Sequence, residues 1–350
     1  MVGGVAVLAA LPAAIGALPI HQSHISAGEL LARIRGSADT PYQGYAESIG
    51  GLALPITQQF GDVADLFGGT TQLRAWYRAP RDWRVDAITV AGESDVHVSP
   101  AGTWTWDYES NRATWTGGVR PPDVRLPIAA DLLPTDLARR LLSEANAGQV
   151  QRLPAKRIAG RSAPGLRLIP HEPGSTIDRV DVWAEERTGL ALRVDVHGSG
   201  ATMLTTQFLD FSTHRPPRSD TVFVPAPMAR IHTLDVPDVA AEIDQFAGIT
   251  PPPSLAGLTR NPALPSFGSI GVYGSGVTEL AAVPLPDDVA FSLYRQLENA
   301  AQTGKYGLSL SVGPLSLLLT SFNVSGGGWL LTGTVTPALL SRAAGELAPA

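Results

Sequence analysis

Between residues 40 and 119 the chain alternates with a period of two, and this pattern dictates its folding class. Leu73, Ala75 and Tyr77 alternate with Arg74, Trp76 and Arg78, and residues 83–90 and 95–99 read as the next two strands. Trp104, Trp106 and Tyr108 share one face of a further strand, opposite Thr103, Thr105 and Asp107. Ala91-Gly92-Glu93, Pro100-Ala101-Gly102 and Ser110-Asn111 separate these runs with turn chemistry. Connections this short join antiparallel neighbours, because a parallel crossover needs a dozen residues or more. The spacing predicts an antiparallel meander.

Helical signals frame the meander. Ser26-Ala27-Gly28-Glu29 has the form of a capping box, Leu30, Leu31 and Ile34 follow at helical spacing, and Gly36 closes the turn. Pro134-Thr135-Asp136 opens a second helix with Leu137, Leu141, Leu142 and Ala145 on one side. Strands resume at 165–169, 177–183, 190–196 and 202–211, with Glu186-Arg187-Thr188-Gly189 as a hairpin turn. Prolines at 216, 217, 225 and 227 end the series, and Pro251-Pro252-Pro253, Pro262 and Pro265 mark a semi-stiff linker. Beyond it the pattern predicts a small ββαβββα unit, held at a distance and free to move. Its strands fall at 269–273, 277–283, 307–312, 315–322 and 328–335. One helix carries Val289, Leu293 and Leu297, and a last helix follows Thr336-Pro337. Leu293, Leu297, Leu340 and Leu347 are expected to cover Leu317, Leu319 and Leu331. A chain of 350 residues suits two such units.

The first twenty residues carry no charge, and as a helix they would span about 30 Å, the thickness of a bilayer core. They suit a cleaved signal sequence or a retained anchor, either of which directs the chain to the outer side of the cytoplasmic membrane.

Composition and motifs exclude several functions. With 44% hydrophobic and 17% charged residues the chain has ample core material. A net charge of -6 with only Lys156 and Lys305 as lysines argues against nucleic acid as a partner. The absence of cysteine removes disulfides, thiolate metal sites and thiol nucleophiles together. Seven histidines, among them His21, His24, His97, His171 and His197, form no helical His-x-x-x-His pair. No serine sits in a Gly-x-Ser-x-Gly elbow, and Gly271, Gly274 and Gly276 lie in a hairpin rather than before a helix. The pairs Asp287-Asp288 and Glu185-Glu186 suit a helix start and a turn. These readings predict no enzyme, no cofactor and no metal.

The aromatic residues are the remaining functional signal. Trp76, Trp83, Trp104, Trp106, Tyr108 and Trp115 crowd the first β region and are the candidate lining of a cavity for an apolar ligand, or else its packing. The stretch from Leu73 to Val85, then Gly92-Glu-Ser-Asp95 and Gly102-Thr-Trp-Thr-Trp-Asp107, resembles the LolA/RseB superfamily of lipoprotein carriers and sigma-factor regulatory proteins. The same order recurs at Ile158-Ala-Gly-Arg161 and from Val180 to Val194, so the resemblance covers roughly residues 26–230. The export segment, linker and extra domain are similar in layout to the larger, actinobacterial-type members. The resemblance implies an α+β fold, an unclosed antiparallel β half-barrel covered by short helices, holding lipid or lipoprotein acyl chains. It also implies a membrane-protein partner such as an anti-sigma factor. The expected division is a signal or transmembrane segment at 1–25, the half-barrel at 26–230, a proline-rich linker at 231–265 and an interaction domain at 266–350.

Overall fold

The computed structural model describes residues 23–50, 69–90, 92–117, 128–234, 250–261, 269–299, 301–321 and 328–347. Residues 1–22 of the expected signal or transmembrane segment, His21 among them, lie outside these, as do parts of the expected linker. Among the described residues no helix is long and apolar enough to cross a membrane.

The helices are α1 (Ala27–Arg35), α2 (Pro134–Leu141), α3 (Asp287–Leu297) and α4 (Pro337–Leu347). In the first half the strands are β1 (Tyr42–Gly50), β2 (Thr70–Ala79), β3 (Asp82–Thr89), β4 (Gly92–Ser99), β5 (Gly102–Asp107), β6 (Arg112–Gly117), β7 (Val150–Ile158), β8 (Arg161–Leu168), β9 (Arg179–Ala184), β10 (Ala191–Gly198), β11 (Ala201–Ser212) and β12 (Arg230–Leu234). They form one twelve-stranded sheet in the order β12-β6-β5-β4-β3-β2-β1-β11-β10-β9-β8-β7. Two meanders, β2–β6 and β7–β11, are thus joined through β1, and β12 and β7 remain as edges, leaving the sheet unclosed. Every neighbouring pair is antiparallel except β12 with β6.

Short helices cover one face of this sheet. Ser26 Oγ accepts the Glu29 N–H at 3.2 Å, but the Glu29 carboxylate turns to Arg33 at 2.6 Å, so only half of the expected capping box forms. Leu30, Leu31 and Ile34 of α1 pack with Ala138 and Leu142 of the α2 region over Val150, Leu166, Val180, Val182, Val194 and Val196. The second helix stops at Leu141, and Leu142 becomes its cap rather than part of a longer stripe. A 3₁₀ turn at Ala129–Leu132 covers Tyr42, Ala46, Leu73, Ala75, Tyr77, Val85 and Ala87. The Thr206 hydroxyl donates to the Leu132 carbonyl at 2.7 Å and pins the turn to the sheet.

The later strands are β13 (Ser254–Leu255), β14 (Leu258–Thr259), β15 (Gly271–Ser275), β16 (Thr278–Leu285), β17 (Gln302–Gly304), β18 (Gly307–Val312), β19 (Leu315–Thr320) and β20 (Gly328–Gly333). β13 and β14 make a ribbon, and the rest form a six-stranded antiparallel sheet, β15-β16-β20-β19-β18-β17. The short β17 is an addition to the predicted ββαβββα order. The helices do not share a face, contrary to the sequence expectation. Leu297 of α3 packs on Leu308 and Leu319, whereas Leu339, Leu340, Ala343 and Ala344 of α4 pack on Leu318 and Leu331. Leu317, Leu318 and Leu319 are consecutive, so their alternating directions serve both faces, as in a strand buried on two sides. In the α3 stripe Leu293 and Leu297 pack as expected, but Val289 is exposed and its neighbour Ala290 is buried instead.

The second unit is not held at a distance. Ser175 pairs with Val335 as an isolated bridge, the Thr176 N–H donates to Thr334 at 3.0 Å, and the Thr336 N–H donates to Gly174 at 2.8 Å. Val277 is buried in the α1/α2 core. Residues 231–234, expected as the start of the linker, instead belong to β12 of the large sheet. Leu255 and Leu258, at its far end, pack into the C-terminal core.

Candidate functional site

Cross-strand partners share a face, so the registers sort the aromatic residues. One row on the helix-covered face runs Tyr42, Tyr77, Trp83, Val98, Thr103 and Thr116. The next row on the opposite face runs Gln43, Trp76, Arg84, His97, Trp104 and Trp115. The six predicted residues therefore do not line one cavity. Trp83 lies on the inner face, while Trp76, Trp104, Trp106, Tyr108 and Trp115 lie on the outer one. Alternation is the cause: Trp83 is the one member whose register matches Leu73, Ala75 and Tyr77.

Part of the outer aromatic group is covered by the chain itself, while Tyr108 is exposed. A strap from Ser212 to β12 crosses them, and Phe223 lies 5.0 Å from Trp104, 5.1 Å from His97 and 6.2 Å from Trp106, ring centre to ring centre. Trp104 and Trp115 are 5.0 Å apart, and Trp106 meets Tyr108 edge-on at 5.5 Å. Hydrogen bonds fasten the strap: Thr221 Oγ1 donates to Asp82 at 2.6 Å, His97 Nδ1 pairs with the Thr221 carbonyl at 3.0 Å, and Asn111 Nδ2 donates to Met228 O at 2.8 Å. Burial holds the His97 imidazole below its ordinary pKa.

The inner face has its own aromatic cluster. Tyr42 stacks on Tyr77 at 5.0 Å and meets Phe208 at 5.8 Å and Phe211 at 6.1 Å. The Tyr42 hydroxyl pairs with Thr135 Oγ1 at 2.8 Å, and that of Tyr77 donates to Ala38 O at 2.7 Å. Burial raises Tyr42 well above the usual phenol value and pushes Tyr77 up to about 12. Both are neutral donors in the physiological range. Below α1 and α2 the interior is packed with side chains. Past Trp83 the same face continues over Val98, Thr103, Thr114 and Thr116, which are half-buried, and Thr105, which is exposed. This strip of the inner face is apolar at the Trp83 end and carries hydroxyls toward β6. A separate open pocket of about 340 Å³ lies where the two units meet, lined by Pro173, Gly174, Thr336, Ala338, Leu339 and Arg342.

Sequence reading missed an acidic cluster on the outer face. Carboxylate oxygens of Asp86, Glu93 and Asp95 lie within 4.8 Å of one another. Arg84 donates to both Asp86 oxygens at 2.5 and 2.8 Å and to Asp95 Oδ2 at 3.1 Å. Burial, then the charge of Asp86, pushes the Asp95 carboxyl up to about 7. The available signal was the repeated phrase Arg-Val-Asp at 84–86, 179–181 and 193–195, which puts valine inward and the charged pair outward.

No family model matches the chain, and no curated protein matches it. Solved structures do. The Pseudomonas aeruginosa MucA/MucB complex matches at 16% identity with a TM-score of 0.50, over 91% of this chain and 96% of that one. MucB in complex with the periplasmic part of MucA matches at 15% identity with a TM-score of 0.50, over 91% and 97%. A LolA superfamily protein from Nitrosomonas europaea matches over 57% of this chain at 11% identity with a TM-score of 0.26. The class is thus the α+β half-barrel with a short-helix cover and a small C-terminal α+β unit. The fold is the one seen in the MucB structures.

Proposed function

We propose that this protein is an extracytoplasmic, non-enzymatic binding protein of the cell envelope that regulates a membrane-protein partner of the anti-sigma-factor type. The observation that carries the reading is the match over 91% of this chain, and 96% and 97% of theirs, to MucB structures solved in complex with MucA. The fold alone does not define a function, so the reading also draws on the strapped outer face, the inner-face strip and the junction pocket as recognition surfaces. Deleting the gene in its own host should change transcription of one sigma-factor regulon, and crosslinking on intact cells should capture a membrane protein that binds that sigma factor. An unchanged transcriptome with no such capture overturns the regulatory reading. A reporter active only after export, fused at residue 40, should be active; purely cytoplasmic activity overturns the location.

A second reading, binding of lipid or lipoprotein acyl chains, is favoured by the half-buried Trp83 at the apolar end of the inner-face strip. The described side chains of α1 and α2 pack directly on the sheet, which moves the proposed acyl site toward β3–β6. Native mass spectrometry of delipidated protein with added phospholipid should give an adduct that Trp83→Ala weakens and Trp104→Ala does not. No adduct with any lipid sinks this reading.

A further inference from the structure

The large sheet contains one charged arrangement twice. β3 reads Trp83-Arg-Val-Asp-Ala-Ile88 and β4 reads Glu93-Ser-Asp-Val-His97; β9 carries Arg179-Val-Asp-Val-Trp183 and β10 carries Arg193-Val-Asp-Val-His197. The registers coincide. Arg84 faces His97 and Asp86 faces Asp95 in the first copy, while Arg179 faces His197 and Asp181 faces Asp195 in the second. The flanking strand places Arg74 opposite Asp86 and Arg167 opposite Asp181. In both copies the valines turn to the helix-covered cores and the aspartates to the other face.

Two carboxylates directly opposite each other in a sheet repel, so each copy needs cations to stand. The second copy finds them in its own chain. Arg167 donates to both Asp181 oxygens at 2.6 and 2.7 Å, Arg193 reaches both Asp195 oxygens at 3.0 and 3.1 Å, and Thr205 Oγ1 adds a hydrogen bond at 2.9 Å. In the first copy the residue equivalent to Arg193 is Glu93, which reverses the charge at that position. Among the described residues Arg84 pairs with both Asp86 and Asp95, and the exposed Arg74 stands opposite Asp86, so three carboxylates share two guanidiniums. The Asp95 side chain is 3% exposed, and its Oδ1 is buried with no hydrogen-bond partner among the described residues. Charge reversal by sequence and an orphaned buried oxygen by geometry are separate observations, and both point to a place where positive charge would be stabilising.

We propose that Asp86, Glu93 and Asp95 form a binding site for a hard divalent cation, Ca²⁺ or Mg²⁺, taking the role that Arg193 has in the second copy. All three donors are carboxylate oxygens, the ligand set these ions prefer. Arg84 orients Asp86 and Asp95, and the half-exposed Glu93 carboxylate is the entry side. Arg74 from β2, Trp106 from β5, and Tyr108 and Glu109 from the turn after β5 frame the opening. The bound ion would tie β3 to β4 beside Trp106, under the margin of the strap.

Thermal unfolding and calorimetric titration of the purified full chain with CaCl₂ and MgCl₂, against NaCl at matched ionic strength, test the site. Extracellular carboxylate sites of this kind bind at roughly 10⁻⁴–10⁻³ M, so millimolar metal should raise the Tm by a few degrees. Glu93→Gln should weaken binding at least about tenfold. Glu93→Arg, which installs the arginine of the second copy, should abolish the metal response and raise the metal-free Tm. No response of the wild type at about 10 mM of either ion, or a full response in Glu93→Arg, overturns the proposal. So does a result in which metals have no effect while wild-type stability, unlike that of Glu93→Arg, falls as pH rises through neutrality, because the cluster then holds only a proton.

Discussion

At Gly189 the chain turns from β9 into β10 with φ of +73°, and a Cβ placed there would lie 2.1 Å from the Arg33 carbonyl oxygen at the end of α1. Arg33 in turn donates to Glu186 O at 2.7 Å, so hairpin and helix are locked together. Gly160 has nearly the same φ, +75°, with no atom within 4 Å of a Cβ. Gly160→Ala should therefore cost only the conformational penalty, about 1–2 kcal/mol. Gly189→Ala adds a backbone overlap worth about 1–3 kcal/mol more, and urea unfolding should separate the two variants by that margin. His197 offers a second test at this scale. Burial first, and then Arg179, hold its imidazole below the ordinary value. The unfolded chain then takes up the proton first as pH falls. The contribution of neutral His197 is full above about pH 6.5 and is lost progressively below it. His197→Gln should lose less stability than the wild type between pH 7.5 and 5.5; an equal loss would remove His197 from the acid sensitivity.

Among elements, the legible ones were those whose alternation meets a one-sided burial. β2, with Leu73, Ala75 and Tyr77 inward, and β5, with Trp104 and Trp106 on one face, read directly from sequence. β7 did not, because Pro154 sits in a register shift between Leu153 and Lys156 that breaks the period. The inner or outer sense of the tryptophans was likewise invisible, since a pattern of period two does not say which face meets a helix. The strap was the least legible element. Its prolines read as an end to structure, yet Phe223 closes the aromatic group that seemed to call for a ligand or a helix. Phe223→Ala should expose Trp104 and Trp106, red-shift tryptophan emission and destabilise the protein by about 1–2 kcal/mol, in proportion to a partly buried phenyl ring. Unchanged emission would mean that the strap does not cover these rings in solution.

For the whole molecule, the junction between the two sheets decides whether the C-terminal unit is a tethered module or part of one body. Polyproline stiffness suggested the first, but no sequence pattern encodes a contact between residues as distant as Glu144 and Gly276. The Glu144 carboxylate accepts the Gly276 N–H at 2.7 Å and the Asn261 side-chain amide at 3.2 Å, holding the β15–β16 turn while Val277 enters the first core. Glu279 stands close by, and burial, then the charge of Glu144, raise its carboxyl above the ordinary value. Folding therefore binds a proton at Glu279, and its contribution to stability falls as pH rises through the folded value. The junction trades two hydrogen bonds from one carboxylate against strain on another. Glu144→Ala removes the hydrogen bonds and should speed amide exchange at residues 272–278 by about tenfold to a hundredfold, as expected for hydrogen bonds to a charged group of about 1.5–3 kcal/mol. Glu144→Gln keeps an acceptor without the charge, so it should preserve most of the protection and lower the Glu279 pKa. Exchange in Glu144→Ala equal to that of the wild type would show that the strand bridge at Ser175 and Val335 holds the junction by itself.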